Sequence, residues 1–196
     1  MFSAFLDTCV LYPSTLRDIL LELGSASVFR PLWSDKIEEE LKKVILKRFC
    51  KKNREINETY VYITRLLRLM NQSLPDARVT GWESILPRVP SMQDANDRHV
   101  VAAAILGRAD VIVTFNLDDF KEEVLPGALF SQSPDDFLLN LLGMYPCNVK
   151  DAISTIARRS GRKGPKWTEE DVLDRLKNSR VDCFVSEYRS DEATST

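Results

Sequence analysis

Six acidic residues stand where a carboxylate could do chemistry rather than solvate a surface. Asp7 ends the short apolar run from Phe2 to Leu6, and Asp118 and Asp119 follow a second run, VIVTF. Asp94 and Asp97 are three apart at the mouth of an Ala-rich segment, and Glu40 lies in EEEL. Gathered at one place, such groups would repel one another strongly unless a divalent cation neutralised them. Oxygen donors of this type suit Mg²⁺ or Mn²⁺ rather than zinc. A cation held there can activate water and stabilise a pentavalent phosphate, which is the chemistry of a nuclease.

Competing chemistries find less support. His99 is the single histidine, so a two-histidine metal motif within one chain is excluded. No nucleophile elbow accompanies it. Cys9, Cys50, Cys147 and Cys183 are scattered without a CxxC pair, which argues against a zinc ribbon or a disulfide framework and for reduced thiols in the cytoplasm. A haloacid-dehalogenase-type phosphatase needs a second aspartate two residues after the first, and Cys9 stands there. A receiver-type phosphoacceptor needs an acidic pair at its first strand, and Asp7 is alone.

The elements that must position these acids are legible from periodicity. Phe2–Leu6 and VIVTF read as buried strands, and Asp7, Asp118 and Asp119 follow their carboxyl ends, where ligands bind in open α/β sheets. Pro13 opens a helix whose apolar face is Leu16, Ile19, Leu20 and Leu23, with Gly24 as its stop. SVFRPLW is a short strand weakened by Pro31. Ser34 and Asp35 cap a second helix, and a third runs from about Arg54 to Ser73. Short strands are expected near Val79 and at Ala128–Phe130, the latter followed by a helix capped in SPDDF. Alternating strands and helices predict α/β architecture with a central parallel sheet. On the second helix Glu39 points away from the apolar arc, while Glu38 and Glu40 border its two sides, so geometry leaves both open. Asp94 and Asp97 serve equally well as helix caps.

Beyond Gly143 the character changes. Two short amphipathic helices are joined by a basic loop, Arg158–Lys166, and Thr168 with Asp171 forms a T-x-x-D capping pattern. The expected organisation is a domain over residues 1–143, a helical appendage over 144–188 and a disordered tail over 189–196. Net charge is only −2 and no apolar stretch reaches the length of a membrane span. The charge is uneven, however. Leu41–Arg54 holds seven basic residues and no acid, and Lys150–Arg180 holds nine basic against five acidic. Arg158, Arg159, Arg162, Lys163 and Lys166 could grip RNA phosphates, contact a protein partner or face solvent. His99 is expected as a partly buried helix residue near the site, and the three tryptophans as core or interface anchors.

FLDTCVL, EELKKVIL, DANDRHVVAAAI and VIVTFNLDDF, in that order, resemble the four motifs of PIN-domain ribonucleases, in particular VapC-type toxins with an added C-terminal helical region. The resemblance covers about residues 1–143. It implies a three-layer α/β/α fold, a Mg²⁺ or Mn²⁺ site, RNA cleavage, homodimerisation, no membrane association and inhibition by a VapB-type antitoxin. By the same resemblance Asp7, Glu40, Asp97 and Asp119 are catalytic metal ligands. Thr8, Asp94, Thr114, Asn116 and Asp118 support them, with the choice between Asp118 and Asp119 left open. Cys9 departs from the asparagine of many relatives, removing an amide that can steady the site. The alternative reading is an idle PIN-like module that binds RNA or protein; four intact acids argue against it, because unused carboxylates that repel one another cost stability.

Overall fold

The computed structural model describes residues 1–51, 55–92, 94–161 and 164–194. Five strands, β1 (Ser3–Leu6), β2 (Arg30–Ser34), β3 (Arg78–Val79), β4 (Val111–Val113) and β5 (Phe130–Gln132), form one sheet in the order β3-β2-β1-β4-β5. Every pairing is parallel. β1 is therefore central, and the chain builds outward from it twice: first to β2 and β3, then back past it to β4 and β5. Their unbroken apolar character follows from burial on both faces; Ala4, Phe5, Leu6 and Val111–Val113 are fully buried.

A single turn, α1 (Thr8–Leu11), follows β1 directly and was not visible in the pattern, being only one turn long. α2 (Ser14–Ser25), α3 (Asp35–Lys51) and α4 (Ile56–Ser73) then connect the first three strands. Arg54, the expected start of α4, lies outside the described residues. α5 (Arg98–Gly107) returns the chain from β3 to β4. Reversing direction across the sheet with right-handed crossovers places α5 on the face opposite α2 and α3, which completes the three layers.

Pro31 does not confine β2 to an edge: it pairs with Ala4 in the interior of the sheet. Its missing N–H would point toward β3, but β3 begins only opposite Trp33, so no ladder bond is lost. Gly24 is fixed by the same residue. A Cβ there would sit 2.7 Å from the Pro31 ring, so α2 can lie against β2 only with glycine at that contact.

The C-terminal region is α6 (Pro134–Met144), α7 (Pro146–Arg159), α8 (Glu169–Lys177) and α9 (Asp182–Thr194). α7 packs on α2 and α8, and α9 packs on α6. Thr168 and Asp171 form the expected reciprocal capping box. α9 is an addition to the two helices expected. Its apolar face, Val181, Phe184, Val185 and Tyr188, is buried in the common core. Asp135 accepts hydrogen bonds from the N–H groups of Cys183 and Phe184 at 3.0 and 2.8 Å, capping α9 from α6. Arg189 pairs with Glu170 and Asp174 of α8, so residues 189–194 continue the helix where a disordered tail was expected. Residues 195 and 196 lie outside the described ones.

Candidate active site

Asp7 and the Thr114–Asn116 segment leave the carboxyl ends of β1 and β4, the adjacent strands between which the connection changes direction. That is the topological switch point, where the loops diverge and leave a crevice. Asp7 stands at the N-cap position of α1, yet its side chain makes no capping bond. It is held instead by two side chains. Thr114 Oγ1 donates to Asp7 Oδ2 at 2.7 Å, and Cys9 Sγ donates to the same oxygen at 3.1 Å. Thr114 is fully buried and its hydroxyl also accepts the N–H of Asn116 at 3.0 Å, which fixes the turn after β4.

Cys9 steadies this corner of the site. Besides donating to Asp7, its sulfur accepts the N–H of Phe115 at 3.2 Å, tying α1 to the end of β4. Burial, with the neighbouring Asp7 charge, pushes its thiol up to about 12. It is therefore a neutral donor and no nucleophile at physiological pH.

The structure separates the two glutamates that sequence geometry left open. Glu38 is buried and accepts hydrogen bonds from Trp33 Nε1 (3.1 Å), Asn71 Nδ2 (2.7 Å) and Arg78 Nε (3.2 Å). It joins β2, α3, α4 and β3. Glu40 faces the other way. It accepts from Thr8 Oγ1 at 2.8 Å and lies 2.9 Å from His99 Nε2. Burial pushes the Glu40 carboxyl up, but the bonds from His99 and Thr8 prevail and hold it below its ordinary range. His99 is buried on α5, packs beside Trp82, and orients Glu40. Only the direction in which α3 faces the sheet reveals that role.

Asp94 and Asp97 divide the tasks between them. Asp94 accepts the N–H of Asn96 at 2.8 Å and caps the short turn Ala95–Asp97. Asp97 precedes α5 and makes no capping bond. Burial first, then the charges of Asp7, Asp94 and Asp119, push the Asp97 carboxyl up to about 6. Those three charges act on Asp97 because the loops bring them to one region. Asp119 accepts from Asn116 Nδ2. Its neighbour Asp118 is exposed and lies 3.8 Å from Lys121, away from the cluster.

The described basic residues expected to grip RNA from the α7–α8 loop each have a partner within the chain. Arg159 pairs with Glu22 of α2, Arg158 donates to Thr155, and Lys166 donates to the carbonyls of Ala157 and Arg158 at the end of α7. Arg162 and Lys163 lie outside the described residues. A different part of the appendage reaches the site. Arg175, Asn178, Ser179 and Arg180 line a cleft of about 770 Å³ together with Asp7, Thr8, Tyr12 and Arg48. Sequence reading missed this wall, because nothing local links the end of α8 to the end of β1.

A parallel five-stranded sheet with acids converging at its switch point defines a class, and comparison with known proteins agrees. The PIN-domain family profile matches residues 3–118, and the chain belongs to that family. The profile of the VapC50 C-terminal domain matches residues 134–190. The chain is similar to the "Putative ribonuclease VapC50" of Mycobacterium tuberculosis (strain ATCC 25618 / H37Rv), with 41% identity over 94 residues. That stretch is 47% of this chain and 54% of the relative, so the match spans about half the length of each. No solved structure matches the chain. No helix among the described residues is long and apolar enough to cross a membrane.

Proposed function

We propose that this chain is a Mg²⁺- or Mn²⁺-dependent endoribonuclease toxin, with residues 1–143 as the nuclease unit and 144–188 as its helical extension. One observation carries the reading: Asp7, held at the end of β1 by Thr114 Oγ1 and Cys9 Sγ, stands at the switch point near enough to Asp97 that its charge, with those of Asp94 and Asp119, pushes the Asp97 carboxyl up. Such charge fits a hard divalent cation, and every candidate donor is a carboxylate oxygen. Among the described residues no three His, Cys, Asp or Glu side chains form a ready-made ligand set. Mg²⁺ needs none, since it retains several waters and takes one or two carboxylates directly.

Asp7, Glu40, Asp97 and Asp119 would hold the ion, with Thr8, Thr114, Asn116 and Asp94 orienting them and Asp118 outside the set. When bound, the cation supplies charge stabilisation for the pentavalent phosphate and the leaving oxygen. One of these carboxylates would take the proton from the attacking water. The water oxygen bonds to phosphorus in line, the bond to the 3′ oxygen breaks, and that oxygen gains a proton. The products are a 3′ hydroxyl and a 5′ phosphate. Asp7, fixed by Thr114 and Cys9, anchors the site without moving.

The partners that accompany this reading are an RNA substrate, a VapB-type antitoxin and a second copy of the chain, acting in the cytoplasm. α4 leaves Ile56, Val61 and Leu69 exposed at separate points around the helix. The deciding experiment is cleavage of defined transfer and ribosomal RNA fragments by the purified full chain with Mg²⁺, Mn²⁺ or EDTA, beside Asp7→Asn. Metal-dependent cutting that the variant loses supports the proposal. Absence of cutting by folded, partner-free protein would leave the idle binding module.

A further inference from the structure

The acidic site alone would repel a polyanion, so an RNA strand must be held by cations placed elsewhere. The cleft beside Asp7 supplies them from both halves of the chain. Arg48 comes from α3, and Arg175 and Arg180 come from α8 and the turn that follows it. Each guanidinium lies over an aromatic ring: Arg48 over Tyr12 at 5.3 Å, Arg175 over Trp167 at 4.0 Å and Arg180 over Phe115 at 5.2 Å. Among the described residues none of the three forms an ion pair with a carboxylate. Stacking holds them in place while leaving their N–H groups free for phosphate oxygens.

The position of Arg180 is specific. It adopts a left-handed backbone conformation, φ 65°, in the turn that ends α8, whose N–H bonds run back to Lys177 and Leu176. Ser179 Oγ closes the turn on the carbonyl of Arg175 at 2.9 Å. Non-glycine residues rarely take this conformation. Here it carries the side chain onto Phe115, the residue after Thr114, so the appendage touches the segment that positions Asp7.

We infer that the α8–α9 turn is the second wall of the substrate site, with Arg175 and Arg180, across from Arg48, gripping the phosphates of a single RNA strand beside the bond to be cut. This rests on the nuclease reading of the acidic site and assigns the appendage a substrate-positioning role. A single strand is the fitting ligand, because a positively charged groove tracks one backbone.

The test separates the two proposals. In an Asp7→Asn background, affinity for a 5′-fluorescein-labelled 12-nucleotide RNA is measured by anisotropy at fixed Mg²⁺ across a range of salt. Arg175→Gln with Arg180→Gln is expected to weaken binding by about tenfold or more and to lower the slope of log K against log salt by about 1.4, at about 0.7 per phosphate released from a single strand. The paired lysine variant should keep the slope. A change in fold alone would not restore the slope with lysine, and melting temperatures compare the variants directly. Unchanged affinity and slope in the glutamine variant would overturn the inference, leaving the cleft to an acidic protein segment. Loss of cleavage in Asp7→Asn, read separately, decides the nuclease reading itself.

Discussion

Thr114 Oγ1 and Asp7 Oδ2 are 2.7 Å apart, although 107 residues separate them in sequence. This one bond fastens the end of β4 to the end of β1 and sets the direction of the carboxylate on which the proposed chemistry depends. Replacing Thr114 by valine keeps the shape and removes the hydroxyl. It leaves Asp7 short of a charge-assisted donor and the Asn116 N–H without its acceptor. The expected cost is about 1–3 kcal/mol in stability, with RNA cleavage and Mg²⁺ affinity each falling roughly 10- to 100-fold. Urea unfolding and metal titration check the two parts.

The two glutamates of α3 should fail in opposite ways. Glu38→Ala strips three donors of their acceptor, the buried Trp33 Nε1 among them, and is expected to destabilise by about 3 kcal/mol. Glu40→Gln should leave the melting temperature within a few degrees and reduce cleavage by orders of magnitude. Melting and cleavage measured on both variants would reject the assignment if the pattern were reversed.

Asp97 makes the metal-free protein sensitive to pH. Its carboxyl titrates near 6 in the folded chain, above the ordinary 3.8, so folding favours the protonated form. Stability from this group is full below about pH 4, falls as pH rises through 6, and stays low above. Melting in EDTA should therefore show a decline across that window that Asp97→Asn abolishes. Mg²⁺ should raise the melting temperature most above pH 6, where it no longer competes with the proton.

Cys9 should resist alkylation. Its thiol is pushed up to about 12 by burial and by Asp7, while Cys50 and Cys147 are exposed. Iodoacetamide at pH 8 is expected to label those two and spare Cys9, as read by mass spectrometry of the peptides. Rapid labelling of Cys9 in folded protein would show that its contacts with Asp7 and Phe115 do not persist.

The chain's own pattern carried much of this arrangement. Phe2–Leu6 and VIVTF announced the two central strands, and the acids after them announced the edge where ligands bind. What escaped was set by tertiary direction. Glu38 and Glu40 flank one apolar arc, and only the packing of α3 on β2 and α4 shows which of them turns inward to Trp33. Asp97 and Asp94 look alike as caps; the loop geometry spends one on Asn96 and frees the other. α9 did have a helical signal, Val181, Phe184, Val185 and Tyr188, but only the polar residues after it, 189–196, resembled a tail. Arg180 had no signal at all, because its meaning comes from lying on Phe115.

The central place of β1 has a consequence for how the protein is made. Asp7 leaves the ribosome 107 residues before Thr114, and Arg175 of α8 and Arg180 of the turn after it follow later still. β1 cannot gain its second neighbour until residues 111–113 have been synthesised, and the last wall of the cleft waits for residue 180. Translation at about 5–20 residues per second makes that an interval of many seconds. Throughout it the growing chain holds Asp7 without its Thr114 donor, so the carboxylate is fully aimed only after the strand that supplies that donor has been made.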